Sequence, residues 1–556
     1  MRDSQGQFAG TLARAWRWVA TPILVKELRA TFRGWRFFAA HAGLLSLFAL
    51  ILLITLVVWM TETDPNPAMI GRVVFAMFIV FQGVLVALVL PAFGCTSVVG
   101  EKERKSFDLL LTTTLSPAEI VWGKFTATMA YSILFLVSTL PLVTVAFLFG
   151  GISLFDLGAA YLYLFVCSVL LNLYAVFIST TVKTSQRAVV ACYLFLVPLV
   201  TALCFWAVGL SMRYVERIFE GRAAELTFEF ENAVDFVLRA GLPGFGYLAL
   251  LGFFFLSATN RLKAPTANHS TSFRVYYVVL VAGLAGMSIW VLEHGLREVS
   301  FDARRTACLI YLCVAGALGV FSMVFAAEDP VLPLRLRSQV SRMTGAWRFL
   351  RPFMPGSVNG ALFCVGVNGL ALAASVMPLW RGVLGPESFG GVGKNFEWVP
   401  TLASQGALAV PFTAACIVSF LVFLAGAGVL FSTVFKRSTT AKGMLGVLLL
   451  VSLLVPLIGW LVVELGREPE TSRFYGMAIL NLPLAVTSLW NGMGEGGIFE
   501  WQFHALGRDI PYAAVFCGLH VALGAGLFLW GLLRRRRLSR LAEVGPAILA
   551  TSGVRA

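Results

Sequence analysis

The residues that could do chemistry in this chain are few, and they lie among long apolar runs. None of the nine cysteines forms a CxxC pair, so the sequence indicates buried membrane thiols and neither a zinc site nor a redox pair. Asp, Glu, Lys and Arg are absent from the interiors of the apolar runs, where His41 and His520 remain as possible proton carriers. Packing between helices is the expected role of both histidines.

Sequence motifs for catalysis or nucleotide binding are also missing. Gly123-Lys124 is followed by Phe125, and no glycine stands five residues before Gly123, so a Walker A loop is not indicated. Neither HExxH nor GxSxG occurs. We therefore expect a chain that is no enzyme by itself and that binds no cofactor or metal. Proton-coupled transport usually needs a carboxylate inside a membrane span. If the protein transports a substrate against a gradient, the energy must therefore come from another source.

The composition indicates whether these apolar runs fold in water or in a membrane. Hydrophobic residues make up 58% of the 556 residues and charged residues 13%, with a mean hydropathy of +0.83. A soluble protein carries about 25% charged residues. With half that share the chain cannot cover its surface with solvated groups, so the composition predicts an all-α polytopic membrane protein.

We predict membrane spans from apolar stretches of about 20 residues, and twelve stretches qualify. A thirteenth stretch, Phe474–Trp490, is interrupted by Asn481 and Pro483 and is expected to be re-entrant or interfacial. The twelve predicted spans are 37–60, 73–95, 125–149, 157–180, 188–210, 240–258, 275–293, 306–327, 358–380, 406–433, 443–463 and 512–533.

The distribution of basic residues predicts the orientation of these spans. Segments placed inside by a cytoplasmic N-terminus hold 30 of the 43 Lys and Arg residues but 9 of the 29 Asp and Glu residues. Both termini are therefore expected in the cytoplasm. The net charge of +14 then reflects membrane topology and indicates no nucleic-acid partner. No loop is long enough for a sizeable soluble domain.

A weak internal repeat suggests two halves. Residues 178–188 and 431–441 match at five of eleven positions, and each stretch is predicted to connect two spans through a basic cytoplasmic turn. Chance similarity between short Ser/Thr/Lys turns remains the alternative. The predicted organisation is a cytoplasmic N-terminus (1–36), two six-span halves (37–274 and 275–533) and a basic tail (534–556). Basic residues of the two turns are Lys183, Arg187, Lys436 and Arg437.

The loop after the second span predicts a cytoplasmic helical hairpin. Gly100 is expected to end the span in a left-handed conformation. An amphipathic helix should follow and expose Glu101, Glu103, Arg104 and Asp108. Ser116-Pro117-Ala118-Glu119 has the form of a capping box that starts the next helix. An ordinary solvated loop is the alternative. Candidate residues of the hairpin are Glu101, Lys102, Glu103, Arg104, Phe107, Asp108, Leu110, Leu111, Ser116, Pro117 and Glu119.

The segment before the first span predicts an amphipathic helix at the membrane interface. Its apolar and basic residues fall on different helical faces, with Trp35 and the arginines at the level of the lipid headgroups. A simple lipid anchor without a partner is the alternative. Residues singled out here are Pro22, Lys26, Glu27, Leu28, Arg29, Phe32, Arg33 and Trp35.

These two segments resemble the permease subunits of bacterial ABC-2 type transporters. In that family a similar stretch, EKERGTLELLLTTPLSPxEIVxGK, follows the second span. The present chain differs at Lys105-Ser106-Phe107, where Gly-Thr-Leu is usual, and at Thr114, where Pro is common. The resemblance is sharp over about 125 N-terminal residues and becomes generic through the sixth span.

The resemblance implies a pore-forming subunit of the bacterial inner membrane that works in export. Its hairpin would dock on a separate ABC ATPase, with Glu101, Glu103 and Arg104 in ion pairs and with Phe107, Leu110 and Leu111 as anchors. The Lys183 and Lys436 turns would be secondary contacts. Twelve spans fit either a complete two-half pore or one half that needs a second permease copy. The remaining alternatives are a secondary transporter or channel, and a membrane scaffold of a surface-polymer or secretion assembly.

Overall fold

The protein is described here by a computed structural model. It describes residues 22–60, 67–107, 115–148, 150–194, 196, 237–264, 267–294, 301–330, 332, 334–342, 345–384, 402–435, 437–466, 482, 502–505 and 508–551. Within these residues the fold is helical, as predicted, except for one short antiparallel β-hairpin.

Two compact units make up the chain, 1–264 and 265–556. The boundary lies ten residues before the expected one, after Ala264. The first unit contains α1 (Pro22–Phe32), α2 (Trp35–Met60), α3 (Pro67–Thr96), α4 (Val99–Glu103), α5 (Pro117–Leu148), α6 (Leu154–Thr181), α7 (from 185, described to 194), a π-helical turn (Val237–Gly241) and α8 (Leu242–Leu262).

The second unit follows the same plan of long apolar helices. Its elements are α9 (Ser270–His294), α10 (Phe301–Ser322) with a 3₁₀ turn (Met323–Phe325), α11 (Leu334–Ser341), a 3₁₀ segment (Gly345–Phe353), α12 (Ser357–Leu384), α13 (Leu402–Val434), α14 (Ser438–Gly466), β1 (Gln502–Ala505), β2 (Arg508–Pro511) and α15 (Tyr512–Thr551).

Eight of the described helices are long and apolar enough to cross a membrane. Three shorter apolar helices, at His41–Ile54, Ile310–Phe325 and Ser438–Ser452, overlap further predicted spans. The chain is therefore a multi-pass membrane protein. The described part of the fifth predicted span is helical from 188 to 194. Except for Leu482, the stretch Phe474–Trp490 lies outside the described residues.

The basic C-terminal segment is a continuation of the last apolar helix. The predicted span ends at 533, and α15 continues through the basic segment to Thr551. The Arg534 side chain donates a hydrogen bond to the carbonyl of Thr433 at 3.2 Å, and Arg535 donates to the carbonyl of Pro330 at 3.1 Å. The arginines at this end of α15 thus bind backbone carbonyls that helix and loop ends leave open.

Helix boundaries agree between the two copies of the predicted repeat. The helix of the first copy ends at Thr181 and the next one starts at 185, while in the second copy the helices end at Val434 and restart at Ser438. These positions differ by the same offset of 253 as the sequences. Among the matching residues, those buried in both copies are Ser179 and Ser432, Thr180 and Thr433, and Ala188 and Ala441.

Close helix packing in the second unit depends on glycine. A Cβ atom on Gly426 of α13 would lie 2.2 Å from the carbonyl oxygen of Gly524 on α15. A Cβ on Gly524 would in turn lie 2.7 Å from the backbone of Val422. Small residues let two membrane helices bring their backbones together, and van der Waals packing then holds the pair.

Candidate functional site

The short helix α4 follows the second apolar helix, and its first residues are fixed by α6. The backbone N–H groups of Val98 and Val99 donate to the hydroxyl of Ser179 at 2.9 and 3.0 Å. N–H groups at a helix start have no acceptor within their own helix. One buried serine of α6 therefore satisfies two such groups and holds the start of α4 in place.

The end of α4 is a Schellman motif with an unusual residue in it. The N–H of Ser106 donates to the carbonyl of Glu101 at 3.1 Å, and the N–H of Lys105 donates to the carbonyl of Lys102 at 3.2 Å. Lys105 adopts a left-handed φ of 56°, which glycine normally occupies in this motif. The predicted left-handed residue, Gly100, instead lies inside α4.

Four side chains form an ion-pair cluster that joins α1, α4 and α5. Lys124 of α5 lies 2.5 Å from the Glu27 carboxylate of α1 and 2.9 Å from the Glu101 carboxylate of α4. Lys26 of α1 also reaches Glu101, at 3.1 Å. The Lys124 side chain is 2% exposed and that of Lys26 is 65% exposed. A buried ammonium group is stable only when it is paired, so Lys124 fixes the positions of both carboxylates.

The other side of α4 is bound to both ends of the turn between α6 and α7. Lys102 donates to the carbonyl of Thr180 at 2.7 Å, in the last turn of α6, where a helix dipole favours positive charge. Glu103 accepts hydrogen bonds from the Ser185 N–H at 2.7 Å and from the Ser185 hydroxyl at 2.5 Å. Polar contacts thus connect α4 to α1, α5, α6 and α7.

Apolar packing completes this arrangement. Phe107 and Leu115, on either side of residues 108–114, are half-buried against a cluster that includes α1 and the first turns of α5. Lys102 also lies over the Phe107 ring, 5.7 Å from its centroid. The buried residues of the cluster are Ile23, Val98, Ile120, Val121, Val176, Ala258 and Leu262.

The predicted capping box starts α5. The Ser116 N–H donates to the Glu119 carboxylate at 2.7 Å, and the Glu119 N–H donates to the Ser116 hydroxyl at 3.3 Å. Pro117 is the first residue of the helix. These residues set the direction in which α5 leaves the loop and so place Lys124, two turns later, beside Glu27 and Glu101.

The predicted hairpin residues therefore divide into two groups. Glu101 was expected to be exposed, but its side chain is 13% exposed and is paired within the chain, while Glu103 binds Ser185. Arg104 and Lys105 face outward. Asp108, Leu110 and Leu111 lie outside the described residues.

Residues of the predicted interfacial helix also separate by face. Pro22 is the first residue of α1, Glu27 and Lys26 belong to the ion-pair cluster, and Leu28 is half-buried. The exposed residues are Arg29, Arg33 and Trp35. Phe32 ends the helix, and its side chain lies outside the description.

The basic turns face outward where they are described. Lys183 and Arg187 of the first unit are exposed, as is Arg437 of the second, whereas Lys436 lies outside the described residues. The first turn lies next to α4 because Glu103 binds Ser185. Of the exposed charged side chains described at the end of α4 and in this turn, Glu103 is bonded to Ser185, and the others are basic, namely Arg104, Lys105, Lys183 and Arg187.

Both span histidines lie in helix contacts. His41 of α2 is 2.9 Å from the Ser138 hydroxyl of α5, and the His520 ring of α15 lies 5.4 Å from the Phe423 ring of α13. Among the described residues, no group of three or more His, Cys, Asp and Glu side chains could hold a metal ion.

Sequence reasoning missed the pairing of Lys124 and a second buried ion pair. Arg274 of α9 is fully buried and lies 2.7 Å from the Glu328 carboxylate. Its guanidinium group also lies over the rings of Phe325 and Phe363, at 5.4 and 5.7 Å. The available signal was a basic residue within the first turns of an apolar helix, since such a residue needs a carboxylate nearby.

The chain matches no known protein-family model, and no similar sequence was found among curated proteins.

Proposed function

We propose that this chain is the membrane-spanning permease subunit of an ABC-2 type exporter, driven by a separate ATPase subunit. The observation that carries the proposal is the position of α4. This helix has five residues, yet its polar contacts connect it to α1, α5, α6 and α7. A partner that displaced α4 would displace the ends of several apolar helices together.

The proposed coupling is mechanical. Nucleotide-driven closure of the ATPase pushes on α4 and on the turn after α6, and the ion-pair cluster transmits this movement to α1 and α5. Rigid displacement of packed helices is an established way to convert a local change into a change of state. The spans would then alternate between inward-open and outward-open arrangements. ATP hydrolysis takes place in the partner, and the chain itself contributes the pathway.

The charges indicate which residues contact the partner. Because Glu101 and Glu103 are already bound within the chain, we assign the contact to the basic side chains Arg104, Lys105, Lys183 and Arg187. The complementary surface of the ATPase would be acidic, since opposite charges steer and orient association.

The topology that goes with this proposal has twelve spans in two six-span halves, in a bacterial inner membrane. The cytoplasmic location of both termini is supported by the share of Lys and Arg in the segments placed inside, 30 of 43. The repeat with matching helix ends supports the division into halves.

Charge reversal tests the proposal. In the native host, a tagged Arg104→Glu/Lys105→Glu chain should reach the membrane at normal abundance but bring down at least about tenfold less ATPase subunit than the native chain. Arg536→Glu/Arg537→Glu is the matched control, because these exposed residues of α15 carry the same charge. Equal recovery of the ATPase with all three chains would refute the assignment of the contact.

A further inference from the structure

Part of the connection between α10 and α12, after the acidic residues Glu328 and Asp329, has an unusual charge composition. Residues 331–353, here called the arginine segment, contain five arginines and no acidic residue. The hairpin after the second span is different, because its acidic and basic residues alternate. A surface that carries one sign of charge next to a membrane span is typical of binding to anionic lipid headgroups.

Both halves of the arginine segment are anchored to the second unit. The Arg274 guanidinium group donates to the carbonyl of Pro352 at 2.6 Å and also to the carbonyl of Met354. The Phe353 ring packs on Phe363 at a centroid distance of 5.3 Å. On α11, Leu336 is buried. The fully buried Arg274 thus holds the end of the segment at the base of α12.

The outer surface of the segment combines positive charge with exposed apolar groups. Phe349 is 86% exposed, the largest value among the described large apolar side chains, and its neighbour Leu350 is 42% exposed. Arg335, Arg337 and Arg342 are exposed as well. If this segment faced water, the side chains of Phe349 and Leu350 would leave apolar surface in contact with solvent.

We propose that the arginine segment binds the anionic lipid surface of the bilayer. Arg335, Arg337 and Arg342 contact phosphate groups, and Phe349 and Leu350 insert at the boundary between headgroups and acyl chains. The combination favours lipid over a protein partner, because a bilayer offers phosphate groups to the exposed arginines and acyl chains to the exposed Phe349 and Leu350. Its position also fits, because α10 before it and α12 after it are both apolar helices that end there. The proposal does not depend on the transport function.

The electrostatic attraction between the arginines and the anionic lipids determines how much the segment's lipid affinity should increase. A basic residue close to an anionic membrane surface contributes about fivefold to lipid affinity, so three arginines together contribute on the order of 100-fold. The attraction falls off within a Debye length, so added salt should weaken it.

Hydrogen exchange of the full-length protein in nanodiscs tests the proposal. One set of nanodiscs contains phosphatidylcholine alone, and the other contains about one quarter phosphatidylglycerol. Amides of residues 334–353 should exchange at least about tenfold more slowly with phosphatidylglycerol, and Arg335→Gln/Arg337→Gln/Arg342→Gln should abolish the difference. Phe349→Ser/Leu350→Ser should reduce the protection in both lipids. The control Arg29→Gln/Arg33→Gln/Arg187→Gln, which removes three exposed arginines of the first unit, should keep it.

Unchanged exchange of α12 amides will show that each variant is folded. Equal exchange of residues 334–353 in the two lipids would overturn the proposal, and so would lipid protection that survives the triple substitution. Protection that appears only when a partner subunit is added would identify the surface as a protein-docking site and would also overturn it.

Discussion

Replacing Lys124 with methionine should be among the most destabilising single changes in the first unit. Methionine keeps the length of the side chain and removes its charge. The Glu27 and Glu101 carboxylates would then lose the ammonium group that lies 2.5 and 2.9 Å from them. Lys26→Met provides an internal comparison, because Lys26 pairs with the same Glu101 carboxylate from a position that is 65% exposed.

The expected magnitudes differ because of burial. At an effective dielectric constant of about 20, each of the two Lys124 contacts contributes roughly 6 kcal/mol of attraction before desolvation is subtracted. Breaking a buried pair while its partner stays in place costs about 3–5 kcal/mol net, and we expect this loss for Lys124→Met. An exposed pair is worth at most about 1 kcal/mol, so Lys26→Met should fall in that range.

Equilibrium unfolding of the full chain in mixed detergent micelles measures both losses. If Lys124→Met fails to fold, the triple variant Glu27→Gln/Glu101→Gln/Lys124→Met should recover most of the stability, because no uncompensated charge is left. A Lys124→Met chain that is as stable as Lys26→Met would refute the conclusion that the cluster holds α1, α4 and α5 together.

Two further substitutions test backbone geometry, each by its effect on the free energy of unfolding. Lys105→Gly should stabilise the chain by about 1 kcal/mol because glycine adopts the left-handed φ without strain. Arg104→Gly, at a helical φ, should destabilise it. The opposite order of stabilities would contradict the Schellman geometry. Gly360→Ala should cost about 3 kcal/mol or more because its Cβ would lie 1.9 Å from the Phe325 carbonyl oxygen. Gly366→Ala on the same helix meets no atom within 4 Å and should be neutral or slightly stabilising.

Local features of the fold could be predicted from sequence because their causes are local. Apolar runs of about 20 residues predicted the long helices, and Ser116 with Glu119 predicted the start of α5, which the structure confirms. The helix ends at Thr181 and Val434 agree with the repeat that five matching residues had suggested. Each of these inferences needed only neighbours within one or two helical turns.

The ion-pair cluster could not be predicted in the same way. Its members come from residues 26, 27, 101 and 124, and only the packing of three helices brings them together. Sequence periodicity indicated that Glu101 would be exposed, because a charged residue after a span is normally solvated. Instead, the Glu101 side chain is only 13% exposed, because it pairs with the buried ammonium group of Lys124. The left-handed Lys105 was missed for a related reason, since glycine is the usual residue at such a position and Gly100 lay nearby.

The most direct test of the proposed function is ATP hydrolysis by the complex purified from the native host through a tag on this chain. We predict that a protein with a Walker A motif co-purifies and hydrolyses ATP, and that substituting the Walker A lysine of that partner abolishes the activity. Arg104→Glu/Lys105→Glu should reduce the recovered activity along with the partner. Chain that is abundant in the membrane and is repeatedly recovered without any ATPase would contradict the account.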